Sequence, residues 1–163
     1  MAKYLLEFER GGSSAPGLRG GVAKLRAMAE NEVSDDGSPL IDDPDFRTRL
    51  AEAEILVESI EITEHRVMSA LAGGKNPGPA SSMLKTQSTE CTQRLDELAI
   101  EIANHYAAVD QPEAREPGSN QTPVGPDHSL IAMARYLNNR AASIYAGSNQ
   151  IQRDIMAKLV LRL

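Results

Sequence analysis

The sequence has few aromatic residues: phenylalanine and tyrosine make up 4% of its 163 residues, and tryptophan is absent. A chain of this length corresponds to one ordinary domain, so its core must be built from aliphatic side chains. Cysteine is equally scarce. The single Cys91 excludes an internal disulfide and fits the reducing environment of the cytoplasm, where we expect the protein to reside.

Basic charge and long apolar runs are also missing. The formal net charge is −6, so no basic field exists to attract nucleic acid or anionic lipid. No segment approaches the roughly 18 continuous apolar residues of a membrane span. The N-terminal MAKYLLEFER carries an acid within its short apolar run, unlike a signal peptide. The composition therefore predicts a cytoplasmic globular domain with no nucleic-acid partner and no membrane span.

Residues that could bind a metal or act as a nucleophile do not form a motif. His65, His105 and His128 are far apart, and no pair has the spacing of two ligands on one helical turn. Cys91 falls on an apolar helical stripe, which predicts a small core residue rather than a nucleophile. The glycines of ERGGSS follow no strand, so they do not indicate a nucleotide-binding loop. We predict no metal site.

Apolar residues recur every three or four positions over most of the chain, which is the period of an amphipathic helix. A single acid, Glu64, interrupts the stripe of the second helix. The pattern predicts an all-α fold, an antiparallel four-helix bundle with a fifth C-terminal helix. The predicted helices cover about 17–32, 44–72, 80–108, 127–145 and 149–163.

The last two predicted helices each carry an apolar stripe that we expect to face the core. In the fourth helix the stripe comprises Leu130, Ile131, Ala134, Leu137, Ala141 and Ile144. In the final helix it comprises Ile151, Ile155, Leu159 and Val160.

The stretch IYAGSNQIQRDI joins these two helices through a turn. Gly147 can take a left-handed backbone angle and end the fourth helix, and Ser148 is a suitable N-cap for the final one. The first N–H groups of that helix favour an anion or another acceptor, and Gln150 offers an amide nearby. A plain corner between two helices explains the same residues, so both interpretations stay open here.

The segment YAGSNQIQR resembles the C-terminal signature of acyl-CoA dehydrogenases. The resemblance continues upstream, where ASSMLKTQSTECTQRLDELAIEIA is similar to their third bundle helix and LLEFERG to the start of the first. DPDFRTRLAEAEI resembles the second helix of a bacterial, pimeloyl-CoA dehydrogenase-like branch. Full-length members also have an N-terminal helical domain and a central β-domain. The resemblance therefore implies that residues 1–163 are the C-terminal helical domain of a larger enzyme.

Members of this family bind FAD and oxidise an acyl-CoA thioester to the 2,3-enoyl-CoA. The resemblance thus implies FAD as cofactor, an acyl-CoA substrate, an electron-transfer flavoprotein as electron acceptor, and homo- or hetero-oligomers formed through the bundle. Gly147, Ser148 and Gln150 match positions at the FAD site. The backbone N–H of Ala146 matches a donor to the thioester carbonyl, where negative charge develops during proton removal.

Two features depart from the family pattern. Many members carry the catalytic glutamate at the position of Ala146, whose methyl group cannot accept a proton. Other members draw the base from the first bundle helix, at an acid that aligns with Glu9 of FERG. An ordinary surface pairing of Glu9 with Arg10 or Lys3 is the alternative for that residue. The usual arginine- and glycine-containing FAD contacts are also replaced, and Arg47 could contact a phosphate or be a solvated helical residue.

Two functions follow for the parent protein. The leading one is an active acyl-CoA dehydrogenase, with Glu9 as candidate base. The other is a non-catalytic structural subunit of a hetero-oligomeric acyl-CoA dehydrogenase, since position 146 lacks a base. In both cases we expect the 163-residue chain alone to be inactive. A stand-alone helical adaptor is a third interpretation, which requires the protein to begin at Met1.

Overall fold

A computed structural model describes residues 13–34 and 36–163, so Glu9 lies outside the described residues. Secondary structure within these ranges is helical, apart from one isolated bridge between Val33 and Pro39. The predicted all-α fold is confirmed. The α-helices are α1 (Ala15–Asn31), α2 (Pro44–Ala72), α3 (Ala80–Ala103), the single-turn α4 (Pro112–Arg115), α5 (Ala132–Arg140) and α6 (Asn149–Met156).

The later α-helices are shorter than predicted because their ends take 3₁₀- or π-helical conformations instead. α3 stops at Ala103, and Asn104 then takes a positive φ of 50°. Short 3₁₀ segments flank α5, and α6 continues as a π-helical turn. These segments are Asn104–Ala108, Asp127–Ile131, Ala141–Ser143 and Ala157–Leu161, with a further 3₁₀ turn at Leu40–Asp42.

The core lies between the first three helices, as their apolar stripes predict. α2 begins with Asp43 as N-cap, whose Oδ1 accepts the Phe46 N–H at 2.7 Å, and Pro44 opens its first turn. Cys91 is fully buried, and this burial raises the pKa of its thiol to about 11, so a core role is confirmed. The larger core side chains are Leu18, Val22, Leu25, Phe46, Leu50, Val57, Ile60, Val67, Leu84, Leu95, Leu98 and Ile102.

Ion pairs along the edges of this core show that neighbouring helices run antiparallel. Residue numbers rise along one helix as they fall along its partner. Each pair is partly exposed, so its contribution to stability is about 0–1 kcal/mol, and the apolar core dominates. The pairs are Arg19–Glu61 and Arg26–Glu54 between α1 and α2, and Arg49–Glu101 and Arg94–Glu52 between α2 and α3.

Glu64, the acid that interrupts the α2 stripe, caps the beginning of α1. Its side chain is 5% exposed and accepts hydrogen bonds from Ser14 N–H (2.7 Å), Ser14 Oγ (2.8 Å), Ser13 Oγ (2.9 Å) and Ala15 N–H (3.2 Å). Burial acts to raise the pKa of Glu64, but these hydrogen bonds outweigh it and the net pKa is lowered. Ser14 Oγ also lies 2.6 Å from Ser88 Oγ of α3, so all three core helices meet here.

α5 and α6 pack against the opposite side of α3, and the predicted burial of their apolar stripes is wrong. Polar residues face α3 instead, with Asn149 and Gln152 of α6 buried. Ile144 is 71% exposed, Ile151 53% and Leu159 63%. The exposed large apolar residues of this C-terminal face are Ile131, Leu137, Ile144, Tyr145, Ile151, Leu159, Val160, Leu161 and Leu163.

Two further observations bear on the predicted class of protein. No helix among the described residues is long and apolar enough to cross a membrane. In the same part of the chain, no three histidine, cysteine or acidic side chains come together in a way that could hold a metal ion.

Candidate functional site

The turn formed by residues 144–148 stands between the 3₁₀ segment Ala141–Ser143 and α6. Two consecutive residues in it are left-handed, Ala146 with φ of 55° and Gly147 with φ of 85°. Gly147 thus takes the conformation predicted for it, which costs glycine nothing. For Ala146 the same conformation costs roughly 1–2 kcal/mol, so the structure around it must hold the turn in place.

Ser148 caps α6, as predicted. Its Oγ accepts the N–H of Ile151 at 3.3 Å, and a hydroxyl that accepts one bond can still donate its own proton. Gln150, in the first turn of the helix, is exposed and presents its amide to the surroundings. The two side chains therefore offer donors on the outer side of the turn.

The backbone N–H groups at the apex are also available. Within the part of the chain that the structure describes, no acceptor forms a hydrogen bond with the N–H of Ala146 or of Gly147. Ala146, whose N–H the family resemblance implied as a donor, is exposed. Ala146 and Gln150 are thus exposed, whereas Gly147 and Ser148 between them are half-buried.

Polar residues beneath the turn, which sequence reasoning did not identify, attach it to α3. The Lys85 ammonium donates to Asn149 Oδ1 (2.9 Å) and to the Ala142 carbonyl oxygen (3.0 Å). Asn149 Nδ2 reaches Glu90 Oε1 at 3.4 Å. The available signal was a single lysine near the start of α3, a helix otherwise dominated by apolar and small hydroxyl residues.

Gln152 supports the turn from within α6. It is fully buried, and its Nε2 donates to the Gly147 carbonyl oxygen at 3.4 Å. Its Oε1 is buried and has no hydrogen-bond partner among the described residues. The burial of Gln152, like that of Asn149, shows that the polar face of α6 contacts the rest of the chain.

A second polar cluster joins α3 to α5. The buried carboxylate of Asp96 accepts Arg135 Nε (2.9 Å) and Asn139 Nδ2 (2.7 Å), and Gln93 Nε2 donates to the Asn139 carbonyl oxygen (2.9 Å). A cavity of about 40 Å³ lies beside it between α1, α3 and α5. The Asp96 carboxylate and the Arg135 side chain are part of its lining.

The two remaining candidate residues, Glu9 and Arg47, are not part of the described turn. Glu9 lies outside the described residues, so its distance from Ala146 is not defined. Arg47 is exposed in the first turns of α2, as expected of a solvated helical arginine. The site that the structure describes thus consists of the 144–148 turn, Gln150 and the polar residues beneath them.

Comparison with known families gives the family of the chain. The family described as "Acyl-CoA dehydrogenase, C-terminal domain" matches residues 1–161. The chain belongs to this family. No curated protein matches this chain in sequence.

Solved structures share the fold of this acyl-CoA dehydrogenase C-terminal domain. An electron transferring flavoprotein of Acidaminococcus fermentans has 17% identity and a TM-score of 0.74, with 97% of this chain and 37% of that chain covered. Butyryl-CoA dehydrogenase from Megasphaera elsdenii has 17% identity and a TM-score of 0.72, with 96% and 37% covered. The ChsE4–ChsE5 complex from Mycobacterium tuberculosis has 23% identity and a TM-score of 0.68, with 90% and 35% covered. The chain therefore spans little more than a third of these proteins.

Proposed function

We propose that residues 1–163 form the C-terminal domain of a cytoplasmic, FAD-dependent acyl-CoA dehydrogenase of the pimeloyl-CoA dehydrogenase-like branch. The intact enzyme oxidises the Cα–Cβ bond of an acyl-CoA thioester to the 2,3-enoyl-CoA. One observation carries the proposal beyond family membership. The exposed left-handed turn presents the N–H groups of Ala146 and Gly147 beside the capped start of α6.

The residues at the turn fit a polar cofactor with many acceptor atoms. The Ser148 hydroxyl, the Gln150 amide and the backbone N–H of Gly147 are donors on one short segment, and FAD carries carbonyl and phosphate oxygens. FAD held by these residues would supply the acceptor for the hydride that leaves the β-carbon of the thioester. Because the donors lie on one edge of a small domain, we expect the isolated chain to bind FAD poorly and to be inactive.

Ala146 acts through its backbone in this proposal. Its N–H donates to the thioester carbonyl oxygen, on which negative charge develops as the α-proton leaves. Its methyl group cannot take that proton, so a carboxylate elsewhere must do so. We assign this role to Glu9. Electrons then leave to an electron-transfer flavoprotein, and the intact protein assembles into oligomers through its helical domain.

Substitution of Glu9 in the intact protein tests its assignment as the base. Glu9→Gln removes the proton acceptor, so exchange of the acyl-CoA α-proton with deuterated solvent should fall about a hundredfold or more, as expected for a general base. Glu7→Gln removes a neighbouring carboxylate and should leave the exchange rate near that of the wild type. Normal α-proton exchange in Glu9→Gln would refute the base assignment.

A non-catalytic subunit of a hetero-oligomeric acyl-CoA dehydrogenase is the second candidate. It is favoured by the alanine at position 146 and by the exposed C-terminal apolar face, which a partner subunit could cover. Purification discriminates between the two. A homo-oligomer that is yellow and reduces a dye with acyl-CoA supports the enzyme, whereas colour and activity that appear only with a second polypeptide support the structural subunit.

A further inference from the structure

We propose that Lys85 of α3 is a positioning residue that holds the 144–148 turn in its left-handed conformation, an inference that rests on the function proposed above. The Lys85 ammonium donates to the Ala142 carbonyl oxygen (3.0 Å) and to Asn149 Oδ1 (2.9 Å). Ala142 precedes the turn and Asn149 follows it. One cation therefore joins both arms of the turn to α3.

The turn needs such a support because apolar packing does not hold its apex. Ala146 is a non-glycine residue in the left-handed region, a conformation that persists only where surrounding contacts impose it. Ile144 and Tyr145, which lead into the apex, are exposed by 71% and 55%. Polar contacts at the two arms must therefore keep the turn closed, and hydrogen bonds from a charged donor are the strong ones.

The same contact also fixes the beginning of α6. Asn149 is its first residue and is buried, and its amide bridges the Lys85 ammonium and the Glu90 carboxylate. Ser148 immediately precedes Asn149, and Gln150 immediately follows it. The direction in which both of these side chains point is thus set by a residue that Lys85 holds.

The consequence for the reaction follows from geometry. The Ala146 N–H can stabilise the developing oxyanion only if it lies at hydrogen-bond distance from that oxygen. A displacement of about 1 Å at a reacting group can cost about a hundredfold in rate. Lys85 therefore affects turnover through the position of Ala146, and we expect the KM for acyl-CoA not to depend on it.

Hydrogen exchange in the intact protein tests the support itself. We compare the wild type, Lys85→Met, Lys85→Arg and Asn149→Ala. The probes are the hydrogen-bonded amides on either side of the apex, those of Ile144, Tyr145, Ile151 and Gln152. Loss of the two charged hydrogen bonds in Lys85→Met should speed exchange of these amides about tenfold or more. Lys85→Arg, which keeps a cationic donor, should recover part of the protection. Asn149→Ala should show a smaller effect, and adding it to Lys85→Met should change little, because both act through one contact.

Gln93→Met provides the matched control. Gln93 lies on the same helix and donates to the Asn139 carbonyl oxygen of α5, away from the turn. It should leave exchange of the hydrogen-bonded amides beside the apex as in the wild type. Equal acceleration in Gln93→Met would show a general loosening of the α3 surface and would overturn the proposal.

Flavin reduction by acyl-CoA tests positioning as opposed to general stability. In Lys85→Met the reduction rate should fall about tenfold or more, with the KM for acyl-CoA unchanged. Lys85→Arg should restore part of the rate, and Gln93→Met should retain it. A rise in KM at unchanged rate would overturn the proposal, since it indicates a binding contact rather than positioning.

The two measurements separate this proposal from the proposed function. A wild-type protein without FAD and without activity refutes the function, while the exchange experiment still decides whether Lys85 holds the turn. Wild-type exchange in Lys85→Met overturns the inference whatever the protein catalyses. Should Lys85→Met fail to fold, Asn149→Ala decides in its place, and unchanged exchange of the turn in that variant overturns the inference equally.

Discussion

The two sides of α3 make different kinds of contact with the neighbouring helices. Its contacts with α1 and α2 are aliphatic, and they bury Leu84, Leu95, Leu98 and Ile102. Its contacts with α5 and α6 depend on hydrogen bonds and ion pairs, centred on Lys85 and Asp96. Apolar burial is non-directional and tolerates small shifts, whereas polar contacts require defined atoms at defined distances. The first side therefore supplies stability, and the second fixes position.

Truncation of a side chain in the apolar core that α3 shares with α1 and α2 should give the largest effect. Phe46 is fully buried between the core helices, so Phe46→Ala should lower the free energy of unfolding by about 3–5 kcal/mol through lost burial and a residual cavity. Ile55 lies on the outer face of the same helix and is 65% exposed. Ile55→Ala should change stability by less than about 0.5 kcal/mol. Urea denaturation measures both, and equal losses would contradict the assignment of the core.

Removal of a charge from the polar side should loosen α5 while the three-helix core stays folded. Asp96→Asn replaces a carboxylate that accepts from both Arg135 and Asn139 with an amide that can accept from only one side, at a cost of about 1.5–3 kcal/mol. Hydrogen exchange should accelerate across 132–140 and remain slow in α1–α3. Glu97→Gln, which removes an exposed partner of Arg140, is the control and should cost about 1 kcal/mol or less. Uniform acceleration over the whole chain would refute the division into two sides.

Glu64 is a buried acid on the apolar side of the comparison, and its contribution to stability should depend on pH. Its folded-state pKa is lowered, so the unfolded chain binds the proton first as pH falls. Its stabilisation is complete above the ordinary glutamate pKa of about 4.3 and is lost as pH falls through the lower folded-state value. Glu64→Gln should cost about 1–3 kcal/mol at pH 7.

The difference in stability between the wild type and Glu64→Gln should shrink on acidification below about pH 4, because the carboxylate then becomes protonated in the wild type as well. Glu58→Gln, at an exposed position of the same helix, should unfold like the wild type at every pH. Urea denaturation at several pH values between about pH 3 and about pH 7 checks both variants. A constant difference over this range would mean that the ionised carboxylate is not what caps α1.

Substitutions of two adjacent glycines of α1 should give the smallest change in stability. Nothing lies within 4 Å of a Cβ added at Gly20, so Gly20→Ala should stabilise the protein by up to about 1 kcal/mol through helix propensity. A Cβ at Gly21 would lie 3.2 Å from Leu95 Cδ1 of α3. Gly21→Ala should therefore gain less, because Leu95 must shift. Thermal denaturation of both variants measures this, and an equal gain would show that α1 can move away from α3.

The apolar period predicted the first three helices well because their stripes are buried, as in most amphipathic helices. For α5 and α6 the same period identified the apolar face correctly. We predicted that this face would be buried in the core, but it is exposed. Periodicity shows which face of a helix is apolar, and not which face contacts the rest of the chain. Ile151 and Leu159 are therefore exposed, while Asn149 and Gln152 are buried.

The candidate site shows the same division. Gly147 and Ser148 could be read from the sequence because a left-handed glycine and a hydroxyl N-cap are local requirements. Lys85 lies 64 positions from Asn149, and its role depends on a contact between distant segments. No local rule predicts such a contact.

By itself, the sequence determined an all-α chain, three helices with a shared apolar core, and a glycine–serine turn at the start of the last helix, since each of these follows from local propensity or period. Only the tertiary structure decided that Glu64 caps α1, that α6 turns its polar face to α3, and that Lys85 joins the two arms of the 144–148 turn. Each of these depends on which polar groups meet across helices, and buried polar groups must find partners wherever the packing of the chain places them.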